Sequence, residues 1–298
     1  MSLMTGSQRE TFDELARRIA PGGKLLRTWK LSGGVSAETT ALEIERADAR
    51  IERFLVRRHG AADLKRNPQI AADEFRLLQL LQSTAVPTPR PRYLDRGGEL
   101  FGTPCLVVEY VEAESGPAAL DQKTFVNQFA DLLAQIHGLA FAPSDVSFLP
   151  HRDLADVPRR AADERVRKVV RSAVQLRPRN RPVLLHGDFW PGNTLWRDGR
   201  FVAIVDWEDA AVGDPLADVA NARLELLWAF GSDAMDDFTR AYGHIAAGID
   251  FTDLAYWDLW ADLRLALRIG EWALGGAAEE AMREAHETFV AQALSRLS

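Results

Sequence analysis

The sequence predicts an α+β chain in two parts, a small antiparallel-β region over residues 1–110 and a larger, mainly helical region over residues 111–298. Three observations lead there. Apolar residues recur at a period of two along much of 24–57, and an apolar, β-branched run follows at 105–108. Beyond residue 120 the period becomes helical for most of the chain. The turn-rich stretch Glu112-Ala113-Glu114-Ser115-Gly116-Pro117 separates the two regimes. At 298 residues a single core stops growing, so a division into two lobes is expected.

The elements follow in order. A first helix over about 8–20 carries Phe12, Leu15, Ala16 and Ile19 on one face and stops at Pro21-Gly22-Gly23. Strands follow at 24–31, 39–46 and 51–57, the last two joined by a turn at Ala47-Asp48-Ala49-Arg50. Asn67-Pro68 supplies an N-cap and first-turn pair for a helix over 69–82, with Phe75, Leu78 and Leu81 as its inner stripe. The Pro-rich stretch 87–91 ends that helix, and two more strands follow, the second being Cys105–Tyr110. In the second region, residues 121–139 place Phe125, Phe129, Leu132, Leu133 and Ile136 at helical spacing. Further helices are predicted at 155–176, 217–230, 234–247, 253–274 and 277–296, interrupted by short strands at Val183–Leu185 and Phe201–Val205.

Composition excludes several classes. With 47% hydrophobic and 27% charged residues, this is an ordinary globular chain, without repeats or low-complexity tracts. A single cysteine, Cys105, rules out internal disulfides and Cys-rich zinc sites, and its apolar strand makes it a small core residue. No apolar run approaches the ~20 residues that span a bilayer, and the first residues lack the apolar stretch of a secretion signal. Met-Ser-Leu before a second Met reads as an expression leader, and the expected location is the cytoplasm. A net charge of −7 argues against nucleic acid and anionic membrane as partners. The charge is uneven: residues 1–110 carry 17 Lys and Arg against 14 Asp and Glu, and residues 111–298 carry 19 against 29. That asymmetry suits a site taking phosphate on one side and a cation on the other.

The sharpest signal is His186-Gly187-Asp188-Phe189-Trp190-Pro191-Gly192-Asn193, followed by Ile204-Val205-Asp206-Trp207-Glu208. Phosphoryl transfer needs one carboxylate to take the proton of an alcohol and oxygen ligands to hold Mg²⁺ against nucleotide phosphates. Asp188 fits the base, with Asn193 five residues on and Asp206 at a strand end as metal ligands. Asn193 adds a ligand without further negative charge. Upstream, Ser32–Ala37 forms a turn between strands in which Gly33, Gly34 and Ser36 can bring backbone amides to phosphates. In Phe54-Leu55-Val56-Arg57, alternation puts Leu55 and Arg57 on one face, Leu55 to roof an adenine and Arg57 to reach phosphates. Glu74 on the next helix is a partner for Arg57, and Glu109, Tyr110 and Val111 form a hinge offering backbone groups to the base.

On these residues the sequence resembles the aminoglycoside phosphotransferase and choline kinase-like small-molecule kinases, from about residue 25 to 275. The motifs that carry the resemblance are HGDFWPGN at 186–193, IVDWEDAAVGDP at 204–215 and Asp218. It implies a protein-kinase-like fold, a nucleoside triphosphate (ATP or GTP) with Mg²⁺, and transfer to a hydroxyl of a small molecule. It also implies that His186 and Asp218 brace the catalytic loop. Three features depart from related patterns. Gly187 stands where protein kinases have Arg, Trp207-Glu208 replace Phe-Gly, and Arg57 replaces the family's Lys. The first two separate the chain from kinases switched by phosphorylation. Arg57 stays charged and binds phosphate bidentately, but it is no point charge.

Two other classes compete. A kinase-like fold that binds nucleotide without turnover is favoured by Arg57 and opposed by intact Asp188, Asn193 and Asp206. A non-haem iron site built on His-x-Asp would need His244 or His286, both in helical segments. For the acceptor, the segment 253–274 gathers Trp257, Asp258, Trp260, Asp262, Glu271 and Trp272. Asp258 and Asp262 share a helix face beside Trp257, a pattern that recognises an ammonium group by charge and cation–π attraction. Arg264 and Arg268 on the same helix are the competing partners of those aspartates.

Overall fold

The computed structural model describes residues 6–31, 37–116, 120–156, 164–265 and 275–297. Gly33, Gly34 and Ser36 lie outside these, as do Arg268, Glu271 and Trp272. The chain forms two compact units, residues 1–112 with 203–208, and residues 113–202 with 209–298. The first unit therefore takes in a short piece from far along the sequence.

The first unit opens with α1 (Gly6–Ile19), then β1 (Lys24–Lys30), β2 (Ala37–Glu45) and β3 (Ile51–His59). After α2 (Ala61–Arg66) and α3 (Ile70–Leu81) come β4 (Pro91–Asp95) and β5 (Cys105–Glu109). The strands make one sheet in the order β1-β2-β3-β5-β4, each pair antiparallel. Alternation sorts the side chains of this sheet. Leu42, Ile44, Phe54, Val56, Cys105 and Val107 face Phe12, Leu15 and Ala16 of α1 in one apolar core. The opposite face carries Leu55, Arg57 and His59, and α3 meets it through Glu74. Between β2 and β3 the chain reverses tightly. The amide of Arg46 donates to the carbonyl of Arg50, Asp48 Oδ1 accepts from the Arg50 amide, and Ala49 is held at φ 64°.

Asn67-Pro68 does not open a helix as expected. Asn67 ends α2, and its side-chain oxygen accepts from the amide of Gln69, the residue that precedes α3. The chain makes a short helix first and restarts. In α3, Leu77 joins Leu78 and Leu81 in the interior, while Phe75 is only half-buried.

The second unit contains β6 (Glu114–Ser115), α4 (Gln122–His137), β7 (His151–Arg152), α5 (Glu164–Ala173) and β8 (Val183–Leu185). A 3₁₀ turn at Pro191–Asn193 precedes β9 (Thr194–Arg197) and β10 (Arg200–Ile204), the latter ending in the first unit. Then come β11 (Ala211–Gly213), α6 (Leu216–Phe230), α7 (Ser232–Ile245), α8 (Leu254–Leu265) and α9 (Gly276–Ser295). Helix α4 packs on α7, and α6 packs on α7, α8 and α9. Asp121 caps α4 by accepting from the Thr124 amide. Phe129 stacks on Phe189 at 4.3 Å between ring centres and tilts against Phe238 at 5.7 Å, so the loop carrying Phe189 is anchored in the helical core. Of the helix expected at 155–176, the described residues are helical over α5 and turn at 174–176; of that at 253–274, they are helical over α8.

Candidate functional site

Within the first unit, Arg57 is the centre of a charged cluster. Its Nη2 donates to Asp206 Oδ1 at 2.6 Å and to Glu208 Oε2 at 3.1 Å, and its Nη1 stands 3.7 Å from Glu74 Oε1. Burial opposes the charge on Arg57, but Asp206, Glu74 and Glu208 outweigh it and hold the guanidinium more firmly protonated. Burial also raises the carboxyl of Asp206, with Arg57 pulling the other way and Glu208 adding to the rise. Asp206 adopts φ 68°, a left-handed conformation that costs a non-glycine residue of order 1–3 kcal/mol and here orients its side chain.

Sequence reasoning missed two members of this cluster, His59 and Glu208. His59 Nδ1 lies 3.0 Å from Glu208 Oε2 and its Nε2 lies 3.4 Å from Glu74 Oε2. Burial would lower the imidazole, but the carboxylates of Glu208 and Glu74 push it up to about 9. The signal was present: carrying the alternation two residues past Arg57 puts His59 on the same face.

The hinge residues are half-buried. The Glu109 amide donates to the Arg90 carbonyl at 2.8 Å and the Tyr110 amide to the Arg53 carbonyl at 3.1 Å. Those two amides are therefore already engaged within the first unit. A groove of about 480 Å³ beside them is lined by Arg53, Phe54, Arg92, Glu109, Tyr110 and Glu112.

In the second unit, Asp218 organises the loop that carries Asp188. Its Oδ2 accepts from the His186 amide at 2.7 Å and its Oδ1 from the Gly187 amide at 2.9 Å. His137 Nε2 stands 3.3 Å from the same Oδ2, and its Nδ1 is 2.7 Å from the Tyr242 hydroxyl. Burial opposes the Asp218 charge, yet the His137 bond, the charges of His137 and His186 and the Gly187 amide keep it below its ordinary value. Gly187 is required here. At φ +83° its missing Cβ would fall 1.9 Å from the Asp209 carbonyl oxygen. Arg264 donates to the Gly187 carbonyl at 2.9 Å, and Asn221 donates to the Phe189 carbonyl at 3.1 Å. Asn193 Nδ2 donates to the Asp188 carbonyl at 2.9 Å and to Asp188 Oδ2 at 3.2 Å, which turns the amide nitrogen inward and leaves Oδ1 for another partner.

The acceptor expectation is corrected by burial. Trp257, Trp260, Asp258 and Asp262 are interior. Asp258 takes a bidentate pair from Arg223 of α6 at 3.0 and 3.1 Å, and Asp262 pairs with His286 of α9. These aspartates tie helices together, and neither is left facing solvent for a cation. Arg264, considered as their partner, serves the Asp188 loop instead.

The family model described as the phosphotransferase enzyme family matches residues 30–248. Acyl-CoA dehydrogenase family member 10 of Mus musculus is 26% identical over 175 residues, which cover 51% of this chain and 16% of that protein. The chain thus matches only a minor part of the length of that relative. The solved GDP complex of wild-type aminoglycoside 2'-phosphotransferase-IIIa is similar with a TM-score of 0.64 at 17% identity, covering 97% of this chain and 99% of that one. Macrolide 2'-phosphotransferase MphH from Brachybacterium faecium gives 0.60 at 21%, covering 93% and 96%. LicA in complex with AMP gives 0.63 at 18%, covering 97% and 100%. These likenesses show a shared protein-kinase-like α+β fold.

Proposed function

The chain belongs to the phosphotransferase enzyme family, and we propose that it moves the γ-phosphate of ATP or GTP onto a hydroxyl of a small molecule. The observation that carries this reading is the Asp188 loop. A half-buried carboxylate is aligned by Asn193 on a backbone that Asp218 grips through two consecutive amides. In the reaction, Asp188 accepts the hydroxyl proton as the acceptor oxygen bonds to the γ-phosphorus. The bond from phosphorus to the bridging oxygen breaks, and a nucleoside diphosphate leaves. Arg57 binds phosphate oxygens, Leu55 packs on the base, and the amide of Val111 is the hinge donor. Gly33, Gly34 and Ser36 supply further amides to the phosphates.

Mg²⁺ suits the oxygen donors Asn193 and Asp206, and the excess of carboxylates around Arg57 gives a divalent cation an electrostatic reason to bind; once bound it would neutralise phosphate charge. Among the described residues no helix is long and apolar enough to cross a membrane. A cytoplasmic setting, with nucleotide at hand, suits the activity.

The test is calorimetric titration with a nonhydrolysable nucleotide, beside an ADP- and GDP-release screen across aminoglycosides, other antibiotics, choline-like amines, sugars and hydroxyacyl compounds. Asp206→Ala should abolish Mg²⁺-dependent binding. Asp188→Ala should bind normally and lose transfer, because a base matters only as the alcohol attacks. Wild-type binding in both variants would remove Asp206 from the metal site. Nucleotide binding with no release for any acceptor would leave a binder without turnover.

A further inference from the structure

The charges around Arg57 close a ring. Glu208 Oε2 is shared between Arg57 Nη2 at 3.1 Å and His59 Nδ1 at 3.0 Å. On the other side, Glu74 faces Arg57 at 3.7 Å with one oxygen and His59 at 3.4 Å with the other. Sign alternates around Glu74, Arg57, Glu208 and His59, and Asp206 hangs from Arg57 outside the ring at 2.6 Å. The ring is buried: the side chains of His59, Glu74 and Glu208 are 0%, 2% and 7% exposed. In such a setting each charge bears strongly on its neighbours. His59 Nε2 and Glu74 Oε2 face each other without an aligned hydrogen bond, so their link has room to tighten.

We propose that His59 is a positioning residue for the nucleotide: by holding Glu208 and Glu74, it frees Arg57 to leave Asp206 for the phosphates. The inference rests on the nucleotide-dependent reading above and adds a residue to it. Two cations stand against three carboxylates. Among the described residues of this cluster, losing His59 leaves Arg57 to serve Glu74, Asp206 and Glu208, so it is held more tightly and the cluster presents one more negative charge to an anionic substrate. The raised imidazole described above means that His59 carries its charge at neutral pH. An arginine at this position raises the need for such help, because its rigid fork offers carboxylates five donors against the three of a lysine ammonium.

The experiment compares wild type, His59→Gln and the double variant His59→Gln/Glu208→Gln, reading the ATP dissociation constant by calorimetry and kcat by ADP release. His59→Gln should weaken ATP about tenfold, the scale of one unit charge acting over about 12 Å at an effective dielectric constant of about 20, while kcat at saturation stays within about threefold. The double variant restores the charge balance and should recover most of the affinity. A His59→Gln protein that binds ATP like wild type overturns the proposal. So does a folded double variant that binds as weakly as the single, or about tenfold more weakly than wild type if the single variant fails to fold. Wild type that binds neither ATP nor GTP defeats the underlying functional reading instead.

Discussion

Asp218→Asn is the substitution whose effect follows most directly from geometry. The two carboxylate oxygens accept from consecutive buried amides at 2.7 and 2.9 Å. A hydrogen bond to a charged group contributes about 1.5–3 kcal/mol, and a buried donor left unsatisfied costs about 1–3 kcal/mol. Asn preserves shape, keeps one bond as a neutral acceptor, and turns an N–H toward the other amide. The loss is therefore about 3 kcal/mol. For a unit of this size that lowers the melting temperature by roughly 6–12 °C, at about 2–4 °C per kcal/mol. Asp188 follows these two amides directly in the chain, so kcat should also fall, by up to about a hundredfold for a displacement near 1 Å. The contribution has a defined pH window. The Asp218 carboxyl lies below its ordinary value of 3.8, so its stabilisation is complete above that value and disappears as acid protonates the folded state. Thermal melts by circular dichroism and steady-state ADP release measure both effects. An Asn variant melting within about 2 °C of wild type, with kcat within about twofold, would refute the reasoning.

Three further outcomes are expected. His59 is pushed up to about 9 from 6.5, so its stabilisation is full below 6.5 and lost as pH rises through 9; urea midpoints should decline across that window in wild type and not in His59→Gln. Ala49→Gly relieves a left-handed residue at φ 64° and should stabilise the protein by about 1 kcal/mol, seen as a higher urea midpoint. Arg57→Ala should raise the nucleotide KM and lower kcat, whereas Arg58→Ala should do little. Arg58 points to the opposite face, where it lies 4.9 Å over the Phe101 ring and pairs with Glu38. Kinetics sensitive to Arg58 instead would refute that register.

What the sequence displays well is local period and ordered spacing. The alternation in β3 set Leu55 and Arg57 on one face, and the structure shows both there, with Phe54 and Val56 on the other. Strands of two to four residues such as β6, β7, β9 and β11 are too short to show a period, although Asp198-Gly199, at φ 51° and 71°, is a hairpin signal between β9 and β10. Partners far along the chain are invisible to spacing. Asp258 and Asp262 looked like a cation site because Arg223 and His286 lie 35 and 24 positions away in the sequence. Glu208 was read only as a departure from Phe-Gly, because its value depends on two cations folded against it from β3.

The contribution of residues 203–208 to the first unit bears on the order in which the protein matures during synthesis. Chains emerge from the ribosome at about 5–20 residues per second. When residue 112 has emerged, every strand of the five-stranded sheet is present, but Arg57 and His59 have only Glu74 as an acidic partner from this cluster. Asp206 and Glu208 arrive roughly 5–20 s later at those rates. Until then Arg57 and His59 have one of the cluster's three carboxylates. The cluster is thus completed by a segment made after the whole Asp188 loop, so the first unit gains its last two carboxylates only once that loop has been synthesised.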